Sequence, residues 1–432
     1  MTDIEYDFDV IVVGGGVSGT VVSFLLAQEG HEVLLIERGV EAGSKNLSGG
    51  IFYCRVMEEI FPGFVNEAPI ERKITRNILS LLNKNSMVNV DYKDTRLSNP
   101  VNAVTVLRAK LDPWLSEKCE EAGVTIMPGI KVDELVREGS QFVGVRAGED
   151  VLHAKVIVAA DGVNSFLAQY AGIREKEPKS HLAVGVKSVI RLGEEEIQKR
   201  FHLTGDEGAG YAVVGDCTQG VHGGGFLYTN KESISIGVVL VLEDLVKKEL
   251  VSSDIHDHFL NHPMIAPLLE DGELLEYGCH LVAEGGKAMQ HDLVHDGLVL
   301  IGDAAGFTLN TGFTVRGMDL AAGSARAAAK AIDQALKSED YSRVALHKYV
   351  QEYEKTFVGK DMETYKRAPS FLENDEMYGA VGSLVTDILY GIFNLDLSPR
   401  KHLLNVAREA LKNSGLKMTR LIRIGYEAVR AL

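Results

Sequence analysis

Cysteine is scarce in this chain. Only 4 of 432 residues are cysteine, Cys54, Cys119, Cys217 and Cys279, and no two form a C-x-x-C pair. That spacing argues against a disulfide framework and leaves too few thiols to hold an iron–sulfur cluster. Each cysteine reads as a small core residue. Long apolar runs are also missing: nowhere do about 18 uncharged apolar residues follow one another, the usual length of a transmembrane helix. Basic charge is in deficit, since 45 Lys and Arg against 61 Asp and Glu leave a formal charge of −16. This excludes wholesale nucleic-acid binding. The start, Met1 to Asp9, is acidic and shows no signal-peptide pattern, so a cytoplasmic protein is expected. Low-complexity tracts and short-period repeats are absent too. What remains is a globular chain long enough for two or three domains.

Glycine, by contrast, is placed with purpose. The segment Asp9-Val-Ile-Val-Val-Gly14-Gly15-Gly16-Val17-Ser18-Gly19 has a buried-strand pattern ending in G-x-G-x-x-G. A helical stretch from Thr20 to Glu29 and a second strand, Glu32 to Glu37, follow it. This strand, turn, helix, strand context is the dinucleotide-binding fingerprint. Gly14 permits the tight turn, Gly16 lets the backbone approach a pyrophosphate, and Gly19 lets the helix lie on the strand. Free N–H groups at the helix start, around Val17 and Ser18, meet the phosphates. Glu37, with Arg38 beside it, accepts from ribose hydroxyls and repels a 2′-phosphate.

Further motifs of the same grammar are spread along the chain. Arg108-Ala-Lys-Leu-Asp112-Pro-Trp114-Leu leads an amphipathic helix to Gly123, and Val124 to Met127 reads as a strand. Stretches at Leu135, Phe142–Val145 and Val151–His153 suggest a hairpin meander, and Val156 to Gly162 a separate buried strand with a turn at Asp161-Gly162. Between Ala183 and Leu242 the pattern becomes alternating strands with glycine-rich turns, an antiparallel sheet inserted as a second domain. Gly297 to Gly306 restores the first pattern, and an alanine-rich helix, Gly317 to Leu336, follows. The expected division is residues 1–75, 105–180 and 280–336 for a discontinuous nucleotide domain, 76–104 and 181–279 for a substrate domain, and 337–432 for a helical C-terminal region.

Taken in order, the N-terminal glycines with Glu37, the Arg108 block, Ala160-Asp161-Gly162 and Gly302-Asp303-Ala-Ala-Gly306 resemble the FAD-binding set of the aromatic-hydroxylase and glutathione-reductase superfamily. The resemblance implies an α/β fold: a discontinuous, Rossmann-like FAD-binding domain with the antiparallel sheet inserted. Asp303 then accepts from ribityl hydroxyls, and Gly312, Phe313 and Thr314 bring backbone N–H groups to the flavin pyrimidine edge. No second strand-linked G-x-G-x-x-G follows, so electrons arrive from a transient nicotinamide or from a protein donor.

Two stretches, Gly43-Ser-Lys45-Asn-Leu-Ser48-Gly49-Gly50 and Gly302 to Asp319 with its Arg316-Gly-Met-Asp ending, resemble FixC proteins. These are relatives of electron-transfer-flavoprotein:quinone oxidoreductases, and the likeness spans essentially the whole chain. It adds Lys45, Ser48 and Gly49 to the cofactor contacts. It also implies electrons taken from an electron-transfer flavoprotein of two subunits, FixA and FixB in type, and passed to a membrane quinone such as menaquinone, as the high-potential branch of electron bifurcation. The iron–sulfur cluster of the fused relatives would then belong to a small ferredoxin-like subunit of FixX type, in keeping with the lack of cysteine after Cys279. Proton donors are not legible; Tyr53, His222, Tyr228 and His280 qualify by residue type. Competing readings are a geranylgeranyl-reductase-like flavoenzyme and a non-catalytic flavin scaffold.

The tail differs from the rest of the acidic chain. Ser398 to Leu432 holds eight Lys and Arg against Glu409 and Glu427, suited to an acidic subunit or to anionic headgroups at the inner face of the membrane. The bland alternative is a solvated helical face with Leu403, Leu404, Leu411, Leu416, Leu421 and Ile424 packed inward. Met377 to Leu397, interrupted by Asp387, reads as a buried or membrane-dipping helix pair.

Overall fold

The computed structural model describes residues 5–44 and 49–432. Its first sheet has strands in the order Val294–His295, Leu298–Leu300, Asp150–Ala159, Phe8–Val13, Val33–Glu37 and Thr125–Pro128. From Leu298–Leu300 onward every neighbour is parallel, with Val10 opposite Val156 on one side and Val33 on the other. Phe-Asp-Val-Ile-Val-Val and Val-Leu-Leu-Ile-Glu are near-continuous apolar runs because helices cover both faces of such a sheet. Val17–Gln28 and the alanine-rich Met318–Lys337 pack on one another, their small side chains allowing the approach.

Val156 does not begin a new strand, contrary to the sequence reading. Asp150–Ala159 is one strand whose first half pairs with Gln141–Ala147 and whose second half runs between Phe8–Val13 and Leu298–Leu300. No glycine or proline interrupts residues 150–159, so nothing breaks the extended backbone as it passes from the hairpin into the core.

The second sheet has nine strands and is mostly antiparallel. Its path runs Glu273–Ala283, Leu182–Arg191, Ser233–Val241, Gly223–Thr229, Glu207–Gly215, Ile70–Asn83, Ala103–Val106 and Gly50–Tyr53, with Ser86–Lys93 pairing off Ile70–Asn83. One pair, Glu207–Gly215 with Ile70–Asn83, is parallel. Arg72 ties this seam together: its buried guanidinium donates to the carbonyls of Asn230, Gly205, Glu207 and Lys231. Ile70–Asn83 runs unbroken through the expected 75/76 boundary.

Beyond Lys337 the chain is helical. Ala380–Phe393 is one helix after a short turn at Asp375–Tyr378, not a helix pair, because the residues after Phe393 run irregularly to a helix at Leu403–Asn413. Asp387 lies on its exposed side. The last helix, Met418–Ala431, buries Ile424 against Phe371 and Ala431. Leu403 and Leu404, expected inside, are exposed, since the helix they begin rests on its neighbour through its later turns. Among the described residues no helix is long and apolar enough to cross a membrane.

Candidate functional site

The ends of the parallel strands converge on a cradle whose shape is set by backbone sterics. Gly14 has φ +112°, and a side chain there would overlap the Ala160 carbonyl; one at Gly19 would overlap the Gly14 carbonyl oxygen. The turn therefore presses on Ala160-Asp161 while the helix beginning at Val17 sits directly over it. Gly16 lies at that helix's start with its Cβ position open toward Arg108, whose Nη2 is 3.5 Å away. Val17 and Ser18 form the buried first turn, and the place of a side chain at Gly302 falls on the Ser18 hydroxyl. Gly302 N–H donates to Ser324 Oγ at 3.1 Å. The first and last nucleotide motifs, about 280 residues apart in sequence, thus touch.

Carboxylates and one guanidinium rim the cradle. Glu37 accepts from Gly15 N–H at 2.7 Å and Gly39 N–H at 2.6 Å, which aims it across the glycine turn. Arg38 beside it is exposed. Arg108 is clamped to the buried Asp112 by bonds of 2.5 and 2.6 Å, and its charge also reaches Asp303 and Glu37. Asp303 turns its side chain outward from the turn at Gly302–Ala305, and desolvation raises its carboxyl above the usual range, opposed by Arg108 and His280. Asp161 behaves differently from the expected ligand contact. Its Oδ2 accepts from Leu167 N–H at 3.0 Å, so it holds the start of the helix Phe166–Tyr170, and burial pushes it up to about 6. Its other oxygen is buried with no partner among the described residues. Gly162, at φ +82°, makes the turn that follows.

Close in sequence to Asp303, Leu309-Asn310 pairs with Val315-Arg316, and the turn between them carries Gly312, Phe313 and Thr314. Gly312 N–H donates to Asn310 Oδ1 at 2.8 Å, Thr314 N–H donates to Thr311 Oγ1 at 3.2 Å, and Phe313 is exposed. Arg316 anchors the hairpin. It donates to Asp319 at 2.6 and 2.8 Å and to Asp361 at 2.6 Å, with the rings of Tyr53 and Phe357 alongside. Lys45 and Ser48 lie outside the described residues. Gly49 is held by Lys187, whose Nζ donates to its carbonyl at 2.6 Å.

Sequence reading missed two titratable groups beside these residues. Lys187 is buried in the strand Leu182–Arg191, and desolvation pushes it down to about 7. A lone lysine inside Leu-Ala-Val-Gly-Val-Lys-Ser-Val-Ile-Arg was the available signal. Glu284, just past the strand Glu273–Ala283, is pushed up to about 7 by burial; Asn310 Nδ2 donates to it at 3.2 Å. Nothing in its local sequence distinguishes it. Of the donors named by type, burial raises the Tyr53 phenol to about 12 and holds Tyr228 well above its ordinary range. His222 Nε2 meets Asp375 at 2.7 Å, and His280 Nδ1 meets the Leu281 carbonyl. Burial raises Cys54 to about 11 and Cys119 and Cys217 to about 12, so these thiols are unreactive. No metal-binding cluster occurs among the described residues.

This geometry fits FAD: a glycine cradle for a pyrophosphate, a carboxylate at each end, and free N–H groups at a helix start. Residues 7–202 match the family model described as FAD binding domain, and FAD is the cofactor. Among solved structures it is similar to a geranylgeranyl bacteriochlorophyll reductase-like protein from Thermoplasma acidophilum, with a TM-score of 0.70 and 20% identity over 94% of this chain and 96% of that one. It is also similar to the myxobacterial halogenase CndH, with a TM-score of 0.66 and 21% identity over 98% and 90%. At such identity these likenesses speak for fold alone. In sequence it is 44% identical to the probable electron transfer flavoprotein-quinone oxidoreductase YdiS of Escherichia coli K12, covering 98% of this chain and 99% of that protein. It is 42% identical to the protein FixC of Salmonella typhi, over 95% and 98%. With relatives this similar along their full lengths, the chain belongs to the FixC and electron-transfer-flavoprotein:quinone oxidoreductase family.

Proposed function

We propose that this protein takes electrons from an electron-transfer flavoprotein and delivers them to a membrane quinone, menaquinone in type, as the high-potential branch of an electron-bifurcating assembly. The observation that carries the reading is the full-length likeness to relatives named as such oxidoreductases. FAD, when bound, supplies the redox chemistry. The chain's own residues position it: the Gly14–Gly19 turn for the pyrophosphate, Glu37 and Asp303 for hydroxyls, Arg108 to balance the two carboxylates, and the Gly312–Thr314 turn for the pyrimidine edge. A small ferredoxin-like subunit would bring the iron–sulfur cluster that this chain's four cysteines cannot hold.

Membrane placement is supported by the far end of the molecule. Phe393 at the end of the helix Ala380–Phe393 and Leu395 and Leu397 in the loop after it are exposed, Leu397 fully, as are Tyr390, Leu403 and Leu404 in the flanking helices. Arg400, Lys401 and Arg408 accompany them in the sequence and are exposed. Apolar side chains beside cations suit insertion at an anionic interface without a span. These features support our reading of a protein held at the cytoplasmic face of the cell membrane.

The test is a stopped-flow trace of the anaerobically reduced, FAD-loaded chain mixed with a short-chain menaquinone and, separately, with a geranylgeranyl lipid. Fast reoxidation by the quinone alone is expected. Reoxidation by the polyprenyl lipid with loss of a double bond would overturn the reading, and failure to turn over quinone would leave a scaffold.

A further inference from the structure

Glu284 lies just past the strand Glu273–Ala283, hydrogen-bonded to the hairpin that carries Gly312. Asn310 spans 3.2 Å to its carboxylate from Nδ2 and 2.8 Å from Oδ1 to the N–H of Gly312, so one amide joins Glu284 to the turn assigned above to the flavin pyrimidine edge. Thr308 Oγ1 donates to the Ala283 carbonyl at 2.8 Å, fixing the hairpin and the Glu284 turn to each other. From behind, the C-terminal segment closes over both: Leu372 lies 3.3 Å from the Cβ position of Gly312, and the Tyr378 hydroxyl donates to the Leu372 carbonyl at 2.5 Å. The Tyr378 ring is 5.3 Å from that of His222, which meets the exposed Asp375.

The charged and titratable groups around Glu284 are few. His181, whose carbonyl accepts the Glu284 N–H, has its ring occupied by Glu177 at 3.0 Å. Burial first, with Glu284 and Glu373 among the neighbours, keeps the Tyr378 phenol neutral. Asp303 and His280 interact with each other on the cleft side. No cation pairs with the Glu284 carboxyl among the described residues; its one hydrogen-bond donor is neutral.

We propose that Glu284 is a redox-linked proton acceptor, taking up one proton when an electron pair enters the cleft and giving it back when the pair leaves. The idea rests on the FAD placement proposed above. On uptake a solvent proton joins the carboxylate, forming an O–H bond that cancels a negative charge behind the Gly312 turn. The electrons come from the donor flavoprotein. When they pass to a quinone, which takes two protons from solvent in becoming a quinol, the Glu284 O–H bond breaks and its proton returns to solvent. A carboxyl poised near neutrality can do this; an ordinary one, too acidic to hold a proton near neutral pH in either redox state, cannot. The contact with Asn310 makes Glu284 a positioning residue, acting on the cofactor's potential and not on the reacting atoms.

The experiment is a spectroelectrochemical titration of bound FAD in the full chain at a series of pH values on both sides of about 7, for wild type, Glu284→Gln and Glu284→Asp. In wild type, Glu284 is protonated in both redox states below that value, and above it only after reduction. The midpoint potential should therefore fall more steeply with pH above it than in Glu284→Gln, by up to one extra proton per electron pair, and the two curves should merge below. Glu284→Asp should restore the steep region. Identical slopes for wild type and Glu284→Gln would overturn the inference. Should Glu284→Gln lose FAD, an infrared difference spectrum of wild type, reduced minus oxidised, decides: a protonated-carboxyl band gained on reduction is required, and its absence overturns the inference. Quinone reduction is assayed alongside. A normal quinone rate with equal slopes sinks the proton acceptor and leaves the function; a steep wild-type slope without quinone reduction does the reverse.

Discussion

The nucleotide cradle and the C-terminal helices are built on opposite rules. In the cradle, positions are set by atoms that would collide: a side chain at Gly14 or Gly19 meets backbone carbonyls that cannot move without opening the sheet. In the tail, the Cβ positions of Gly379, Gly415 and Gly425 have nothing within 4 Å, and large apolar side chains stand in solvent. Close packing specifies a ligand by shape. An open amphipathic surface specifies only a kind of environment, here apolar with positive charge around it.

The largest effect should come from breaking the cradle. Gly19→Val forces a branched side chain into the Gly14 carbonyl, where overpacking costs about 1–3 kcal/mol or more and spreads through the turn. Purified protein is expected to carry no FAD, read from the ratio of flavin to protein absorbance. Retention of FAD would mean the helix is not pinned on the turn as described.

Next comes the joint between the two regions. Arg316→Met leaves Asp319 buried with no cation and frees Asp361, which belongs to the helical region. Breaking a pair of this burial costs about 3–5 kcal/mol, measured by denaturant unfolding. Because the hairpin that carries Gly312 is anchored there, FAD affinity should fall too. A loss of stability with unchanged affinity would separate the anchor from the site.

Replacing the exposed apolar tip should do the opposite. Phe393→Ser, Leu395→Ser and Leu397→Ser together are expected to weaken binding to anionic vesicles by about a thousandfold or more, since each side chain buried in lipid contributes about 1.5 kcal/mol or more. FAD content and reduction of a water-soluble quinone should stay as in wild type. Equal vesicle binding would assign the tip to another partner.

The same contrast explains what could be read from sequence. Gly14 and Gly19 were legible because steric necessity leaves a fixed spacing, and Glu37 because it closes the second strand at the expected distance from them. The strands after Ala183 were legible from the glycine-rich turns between them; Gly223–Thr229 alternates between buried and half-buried positions, while Leu182–Arg191 and Ser233–Val241 are buried almost throughout. Three things were not. That residues 150–159 form one strand shared by a hairpin and the core depends on pairing partners far away. The exposure of Leu403 and Leu404 depends on which turn of a helix meets its neighbour, and amphipathic spacing looks the same in either case. Glu284 has no motif at all; only the fold brings it to Asn310.

Lys187 allows the smallest but cleanest probe of the cleft side. Buried and pushed down to about 7, it is neutral in the folded chain over a range where the unfolded chain, with an ordinary lysine value of about 10.4, still binds the proton. Stability rises with pH wherever the unfolded state holds more protons. Lys187 therefore makes the wild-type chain gain stability as pH climbs from about 7 toward the unfolded value, and weighs on it fully below about 7. Lys187→Met removes that dependence. Its stability relative to wild type should fall by about 1 kcal/mol per pH unit across the window, followed by denaturant unfolding of the FAD-free chain. Parallel profiles would mean that the 2.6 Å bond to the Gly49 carbonyl keeps the ammonium charged. Lys187 would then hold a permanent positive charge beside Gly49, where an anionic cofactor would find it.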